Sequence, residues 1–247
     1  MDKKSIEHPK EHPLSILINQ AYEIFSELNF EIAIGPEIES EWYNFDVLNV
    51  PKDHPARDMQ DTFYIKNNPG YVLRTHTTGV TARTIQKAVK ENRLPCAFVS
   101  IGKVFRNEST DATHGAEFFQ IEGVMVGEIE KDSISLADLK GVLTYFFGKI
   151  WGDSTVALSR DVEIEFRPSF FPFTEPSLEV HTKFKGKWLE MGGAGMLHPN
   201  VLKNLGLDPK KFQGFAFGFG LDRIAMVKWG IPDIRFFYQG DLRLNQF

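Results

Sequence analysis

The chain has 247 residues, 42% hydrophobic and 25% charged, which is enough for one large globular domain or two small ones. A net charge of −5 excludes a surface that grips nucleic acid by charge alone, so any RNA contact is local or shared with another chain. Cys96 is the single cysteine, which excludes intrachain disulfides and four-cysteine zinc sites and fits a reducing compartment.

Residues 1–12 read as a flexible polar tail without a signal-peptide core. No apolar run approaches the roughly 18 residues of a membrane helix, and the expected location is the cytoplasm. His8 and His12 are four apart, but Pro9 and Pro13 break any helix that would present them together to a metal. Pro13 suits a first helical position. Leu14, Leu17, Ala21, Phe25 and Leu28 then recur at helical spacing, predicting a helix over 13–29. A strand over 30–34 stops at Gly35 and Pro36, and proline in a strand context points to an edge or an interface. Residues 40–62 lack periodicity and read as a long, functional loop. Short strands at 63–65 and 72–74 flank the turn signal NNPG. Thr77 or Thr78 caps a helix carrying Val80, Ile85, Ala88 and Val89.

Residues 99–126 predict two strands joined by a loop of about nine residues. Alternation puts Arg106 and Glu108 on one face of the first strand, and Phe118, Gln120 and Glu122 on one face of the second. Phe119, Ile121 and Met125 take the opposite, core-facing side. Leu136, Leu139, Leu143, Phe146, Phe147 and Ile150 form a helical stripe. Val162, Ile164 and Phe166 alternate with charges as a half-buried strand, and 170–180, 188–196 and 212–220 are further strands. A helix starts at Leu221. Hairpin-spaced strands with a few helices predict an α+β fold with an antiparallel sheet, one domain over 13–247.

Three features of this order carry chemistry. GFGLDR, ending at Arg223, fails the dinucleotide fingerprint because its sixth position is arginine and it lies near the C-terminus. A cation in the first turn of a helix opposes the macrodipole, a conflict that a bound phosphate resolves. Arg106 and Arg223 together make a candidate clamp for a polyphosphate, since guanidinium meets phosphate oxygens bidentately. Glu175 is a candidate Mg²⁺ ligand beside those phosphates. Each has a plain alternative: an exposed arginine on a tight turn, a surface glutamate. Phe171 and Phe173, pointing one way if extended, serve a core or a pocket, and His76 alone is equally open. None of the seven histidines forms a hydrolase triad or an HExxH zinc site.

Taken together, the segments resemble the catalytic domain of class II aminoacyl-tRNA synthetases, and among these the alpha subunits of phenylalanyl-tRNA synthetases. Helix 13–29 with FEIAIGPEIE is similar to the family's first motif, VFRNESTDATHGAEFFQIEG to its second and GFAFGFGLDR to its third. LNVPKDHPARDMQDTF, LRTHTTG, RPSFFPFTEPS, KWLEMGGAGMLHPNV and GIPDIR match strings of the subfamily. All stand in chain order over about 12–247.

The resemblance implies an antiparallel sheet flanked by helices. It implies that ATP meets Arg106 at the α-phosphate, Arg223 at the γ-phosphate, Phe118 under adenine, Glu108 at the adenine amino group and His114 near the phosphates, with Glu175 serving Mg²⁺. Phenylalanine is placed between His76, Thr78, Gln120 and Glu122, with Phe171 and Phe173 edge-on to its ring and Ala216 and Gly218 as the pocket wall. Phenylalanyl-adenylate forms first, and the acyl group then passes to tRNA(Phe); a stand-alone adenylate-forming paralogue is the alternative. The implied partners are a beta subunit and a homodimer or α2β2 heterotetramer, away from membranes. Three features depart from the family pattern. Its alpha subunits carry a long N-terminal helical hairpin that binds tRNA, whereas twelve residues precede the domain here. Phe119 stands where His is common, and Gln60 where some bacterial members have Trp.

Overall fold

The computed structural model describes residues 11–59, 61–152, 163–184 and 186–246. Most of the expected tail, and Gln60, lie outside the described residues. The chain runs α1 (Pro13–Glu27), β1 (Glu31–Ile32), β2 (Ile38–Ser40), α2 (Glu41–Asn44), β3 (Tyr71–Leu73), α3 (Thr78–Lys90), β4 (Cys96–Phe105), β5 (Glu117–Glu128) and α4 (Ile129–Asp132). It continues with α5 (Leu136–Trp151), β6 (Glu163–Phe171), β7 (Thr174–Phe184), β8 (Lys187–Leu197), α6 (Pro199–Asn204), β9 (Phe212–Gly220) and α7 (Leu221–Trp229).

Local signals explain the helix ends. Pro13 opens α1, with the His12 ring accepting from the Leu14 amide. Ser135 and Asp138 form a reciprocal capping box at the start of α5. Gly230 ends α7 at a φ of 69°, which costs glycine nothing.

Seven strands form one sheet in the order β1-β4-β5-β9-β8-β7-β6. All neighbours are antiparallel except β1 and β4, while β2 and β3 pair separately. The expected fold, an antiparallel sheet flanked by helices, is therefore the one observed. Phenylalanine on one sheet face explains its abundance. Phe215, Phe217 and Phe219 of β9 point to the side covered by α1, α5 and α7, where Phe217 stacks on Phe25 at 5.4 Å and Phe25 on Phe146 at 5.1 Å. The opposite face of the central strands carries Phe98, Val124 and Val126, packed under α3 and α6.

Several element readings change. The expected strand 30–34 shrinks to two exposed residues at the sheet edge. Residues 63–65 make only an isolated bridge from Tyr64 to Val72, and β2 pairs with β3 instead. The expected strand 170–180 is broken at Pro172 and Phe173, because proline cannot donate to a ladder, so a hairpin turn separates β6 from β7. Arg106 and Glu108 lie beyond β4, which ends at Phe105. They start the connecting loop rather than sharing a strand face.

Candidate active site

The site lies on the sheet face opposite the phenylalanine layer. Cross-strand register builds a row Ser100–Glu122–Gly218–Gly193–Glu179–Arg167 and, beside it, Gly102–Gln120–Gly220. Paired residues of neighbouring strands present their side chains on the same face. The expected grouping of Phe118, Gln120 and Glu122 on one face of β5 therefore holds, with Ala216 and Gly218 alongside on β9. Glycine keeps the floor low. A Cβ at Gly102 would stand 2.2 Å from the Arg74 guanidinium, and one at Gly193 would stand 2.8 Å from the Phe171 ring.

At one end of the cleft the polar groups are acceptors. Glu122 is buried, and the Thr78 hydroxyl bonds its carboxylate. Burial pushes its pKa up to about 7, against the pull of Thr78 and the Arg74 and Arg106 charges. His76 lies two residues before Thr78. Its Nε2 donates to the Asn44 carbonyl at 2.9 Å, which leaves Nδ1 as an acceptor. Burial lowers its pKa to about 4, so the ring is neutral at physiological pH. His76 Nδ1 and Gln120 Oε1 are both buried without a hydrogen-bond partner. Orphaned buried acceptors are rare and costly, so each calls for a donor from outside the protein. The Phe171 and Phe173 rings lie parallel at 5.6 Å, Phe171 resting on Gly193, so the hairpin turn brings together two rings expected on one strand.

The other end carries the arginines. The Arg106 amide donates to the Ala116 carbonyl at 3.0 Å and closes the loop, and its guanidinium carbon lies 5.1 Å from the Phe118 ring centroid. Arg223 sits exposed in the first turn of α7, three residues past Gly220, the partner of Gln120. The two arginines are thus linked through Phe118 and Gln120, successive residues on one face of β5, at one end of the sheet. Arg57, Arg83, Arg93, Arg167, Arg235 and Arg243 form ion pairs, and Arg74 bonds the carbonyls of Gly35, Pro36 and Lys103. Among the described residues, Arg106 and Arg223 are the arginines left without such a partner.

Glu108 and His114 lie exposed in the loop over this end. Asp111 holds that loop, accepting from the Thr113 and His114 amides and from the His114 ring at 2.9 Å. These bonds hold the Asp111 carboxyl well below the usual range.

Glu175 lies at the start of β7, just past Phe173, with its side chain 73% exposed and His198 at 3.4 Å. Among the described residues no group of three or more His, Cys, Asp or Glu is placed to hold a metal.

The chain matches the family of class II core domains of tRNA synthetases (F) over residues 1–247. A phenylalanine--tRNA ligase alpha subunit of Anoxybacillus flavithermus (strain DSM 21510 / WK1) is 48% identical, over 99% of this chain and 70% of that protein. The alpha subunit of Dechloromonas aromatica (strain RCB) is 46% identical over 96% of this chain and 69% of its own length. That of Bacillus mycoides (strain KBAB4) is 47% identical over 96% and 68%. The chain belongs to the class II tRNA synthetases, among the phenylalanine--tRNA ligase alpha subunits.

Within this synthetase core, three polar residues escaped the sequence reading. Arg74 is buried with its charge over Gly102, Asn44 anchors His76 and Thr75, and Asp222 is buried beside Arg223. Arg74 sits in LRTHTTG and Asp222 in GFGLDR, but only the tertiary contacts show what either side chain bonds. No helix of the synthetase core is long and apolar enough to cross a membrane, among the described residues.

Proposed function

We infer that this chain activates phenylalanine with ATP to give phenylalanyl-adenylate and pyrophosphate, and then passes the acyl group to the terminal adenosine of tRNA(Phe). The observation that carries the reading is that, among the described residues, Arg106 and Arg223 are the arginines without ion-pair or carbonyl partners, on a cleft whose other end holds buried acceptors that lack donors. An ammonium offers three donors and a positive charge. His76 Nδ1, Gln120 Oε1 and the Glu122 carboxylate match it in number and sign. Phe171, Phe173, Ala216 and Gly218 form the aromatic end, where a small residue at 216 fits phenyl and leaves a para-hydroxyl crowded and unpaired.

The amino-acid carboxylate then faces the arginine end, where it attacks the α-phosphorus of ATP in line. The carboxylate oxygen forms the new P–O bond and the pyrophosphate oxygen leaves with the electron pair. Arg106 and Arg223 neutralise the charge on the phosphates, and Phe118 supplies a face for the adenine. Glu108 and His114 approach the base and phosphates from the loop. Positioning and charge neutralisation carry the catalysis, as in other phosphoryl-transfer sites. Magnesium enters with ATP as part of the substrate. Glu175, an exposed carboxylate next to the Phe171–Phe173 turn, is the residue proposed to hold it.

The proposed assembly is with a beta subunit or a second copy of the chain, through the edge at Gly35 and Pro36. Ile32, Ile34 and Ile38 stand 50%, 88% and 49% exposed around it. The proposed location is the cytoplasm.

ATP–pyrophosphate exchange tests the activity. Exchange is expected with phenylalanine alone among the amino acids, and Arg223→Ala is expected to abolish it with the melting temperature unchanged. Exchange retained in that variant overturns the phosphate role, and exchange driven by a different amino acid overturns the substrate.

A further inference from the structure

The ladder between β5 and β9 stops at the Gln120–Gly220 rung, because the chain turns into α7 after Gly220. Phe119, the neighbouring residue of β5, has an amide directed past that end. The Asp222 carboxylate meets this amide at 2.6 Å and takes the place of the missing strand carbonyl. The same carboxylate accepts the Tyr238 hydroxyl. Its residue is 1% exposed. Hydrogen bonds from a backbone N–H to an ionised carboxylate are about twice as strong as neutral ones. Asp222 thereby joins three segments: β5, the first turn of α7 and the 3₁₀ turn Ile234–Phe237 that Tyr238 caps.

The residues on either side of this junction are the ones placed on the nucleotide. Phe118 precedes Phe119 and lies under Arg106. Arg223 follows Asp222. Yet Asp222 directs its oxygens at Phe119 and Tyr238 and makes no ion pair with Arg223. It therefore anchors the helix start while leaving the adjacent guanidinium unneutralised.

We propose that Asp222 is a positioning residue for the nucleotide, its junction between α7 and β5 setting the separation of Arg223 from Phe118 and Arg106. The role rests on the adenylation activity inferred above. A misplacement of about 1 Å at a reacting centre costs on the order of 100-fold in rate, so a side chain that touches no substrate still controls the clamp.

The test is ATP–pyrophosphate exchange with Asp222→Ala, Asp222→Asn and Tyr238→Phe, assayed with the same subunits as the wild type. Asp222→Ala is expected to raise the KM for ATP about tenfold or more while the KM for phenylalanine stays within about twofold. Asp222→Asn keeps an acceptor for the Phe119 amide and is expected to recover most of that loss. Tyr238→Phe removes one anchor and almost no volume, and is expected to raise the ATP KM about threefold with the phenylalanine KM unchanged. If Asp222→Ala fails to fold, Asp222→Asn and Tyr238→Phe decide. Equal rises in both KM values, an unchanged ATP KM in Tyr238→Phe, or no rescue by asparagine overturns the positioning role. Loss of phenylalanine-driven exchange in the wild type overturns the activity itself, and so separates the two failures.

Discussion

Glu122 shows how one buried side chain trades stability for binding. Its pKa of about 7 is raised from 4.5 by burial. The folded state thus holds a proton that the unfolded chain releases at lower pH. The stabilising contribution is complete below pH 4.5 and is lost as pH rises through about 7, a total of about 3 kcal/mol. Glu122→Gln carries no ionisable group there, so its melting temperature is expected to exceed the wild type's at pH 8 and to converge on it toward pH 4.5. The same variant is expected to raise the phenylalanine KM by roughly 30-fold or more, the loss that follows when one member of a buried charge pair is removed. Scanning calorimetry and exchange kinetics check the two halves independently. At this scale the residue types were legible in the sequence: alternation put Phe118, Gln120 and Glu122 on one face before any coordinates. The donor that His76 lacks was not legible, because it depends on Asn44, a residue 32 positions away that occupies the other ring nitrogen.

At the level of elements, the glycine floor and the hairpin turns divide the cleft into an acceptor-lined aromatic end, proposed for the amino acid, and an arginine end, proposed for the nucleotide. Gly193 of β8 lies under Phe171, which the turn at Pro172 delivers from β6. Gly193→Ala places a methyl group 2.8 Å from that ring, so either the ring or the strand must shift. Overpacking of this kind costs about 1–3 kcal/mol. The expected outcome is a phenylalanine KM raised roughly 10-fold with the ATP KM unchanged, measured by exchange. A matching rise in the ATP KM contradicts the division of the cleft. Helices and long strands followed periodicity well, as α1 and α5 do. Short elements did not. β1 is two exposed residues held by pairing with β4, and β2 finds its partner at β3, far along the chain (Glu39 pairs with Val72, 33 positions away). Such pairing has no local signature.

For the whole molecule, the phenylalanine layer joins α1, α5 and α7 to the sheet and fixes the opposite face as the site. Phe146 is fully buried between Phe25, Phe147 and Phe219. Phe146→Ala is expected to cost about 3–5 kcal/mol in urea denaturation, because removing the ring leaves a cavity that close-packed neighbours fill only in part. Its ATP and phenylalanine KM values, measured well below the melting transition, are expected to stay close to the wild type's, since the ring lies behind the sheet. A selective rise in one KM contradicts the separation of the two faces. The exposed isoleucines at the β1 edge belong to this scale as well. Ile34→Glu is expected to reduce the assembled mass in light scattering without lowering the melting temperature of the separated chain.

The sequence by itself determined which residues are chemically fit for the reaction and in which segments they stand. Side-chain alternation, helical spacing and ordered motifs are local properties, and local properties survive without coordinates. Only the tertiary structure decided which of them meet. Register across three antiparallel strands brings Glu122, Gly218 and Gly193 into one row. Asp222 owes its role to a strand that ends one rung early. The physical reason is that cross-strand contacts depend on where each strand begins pairing, and a shift of one residue would reverse every face.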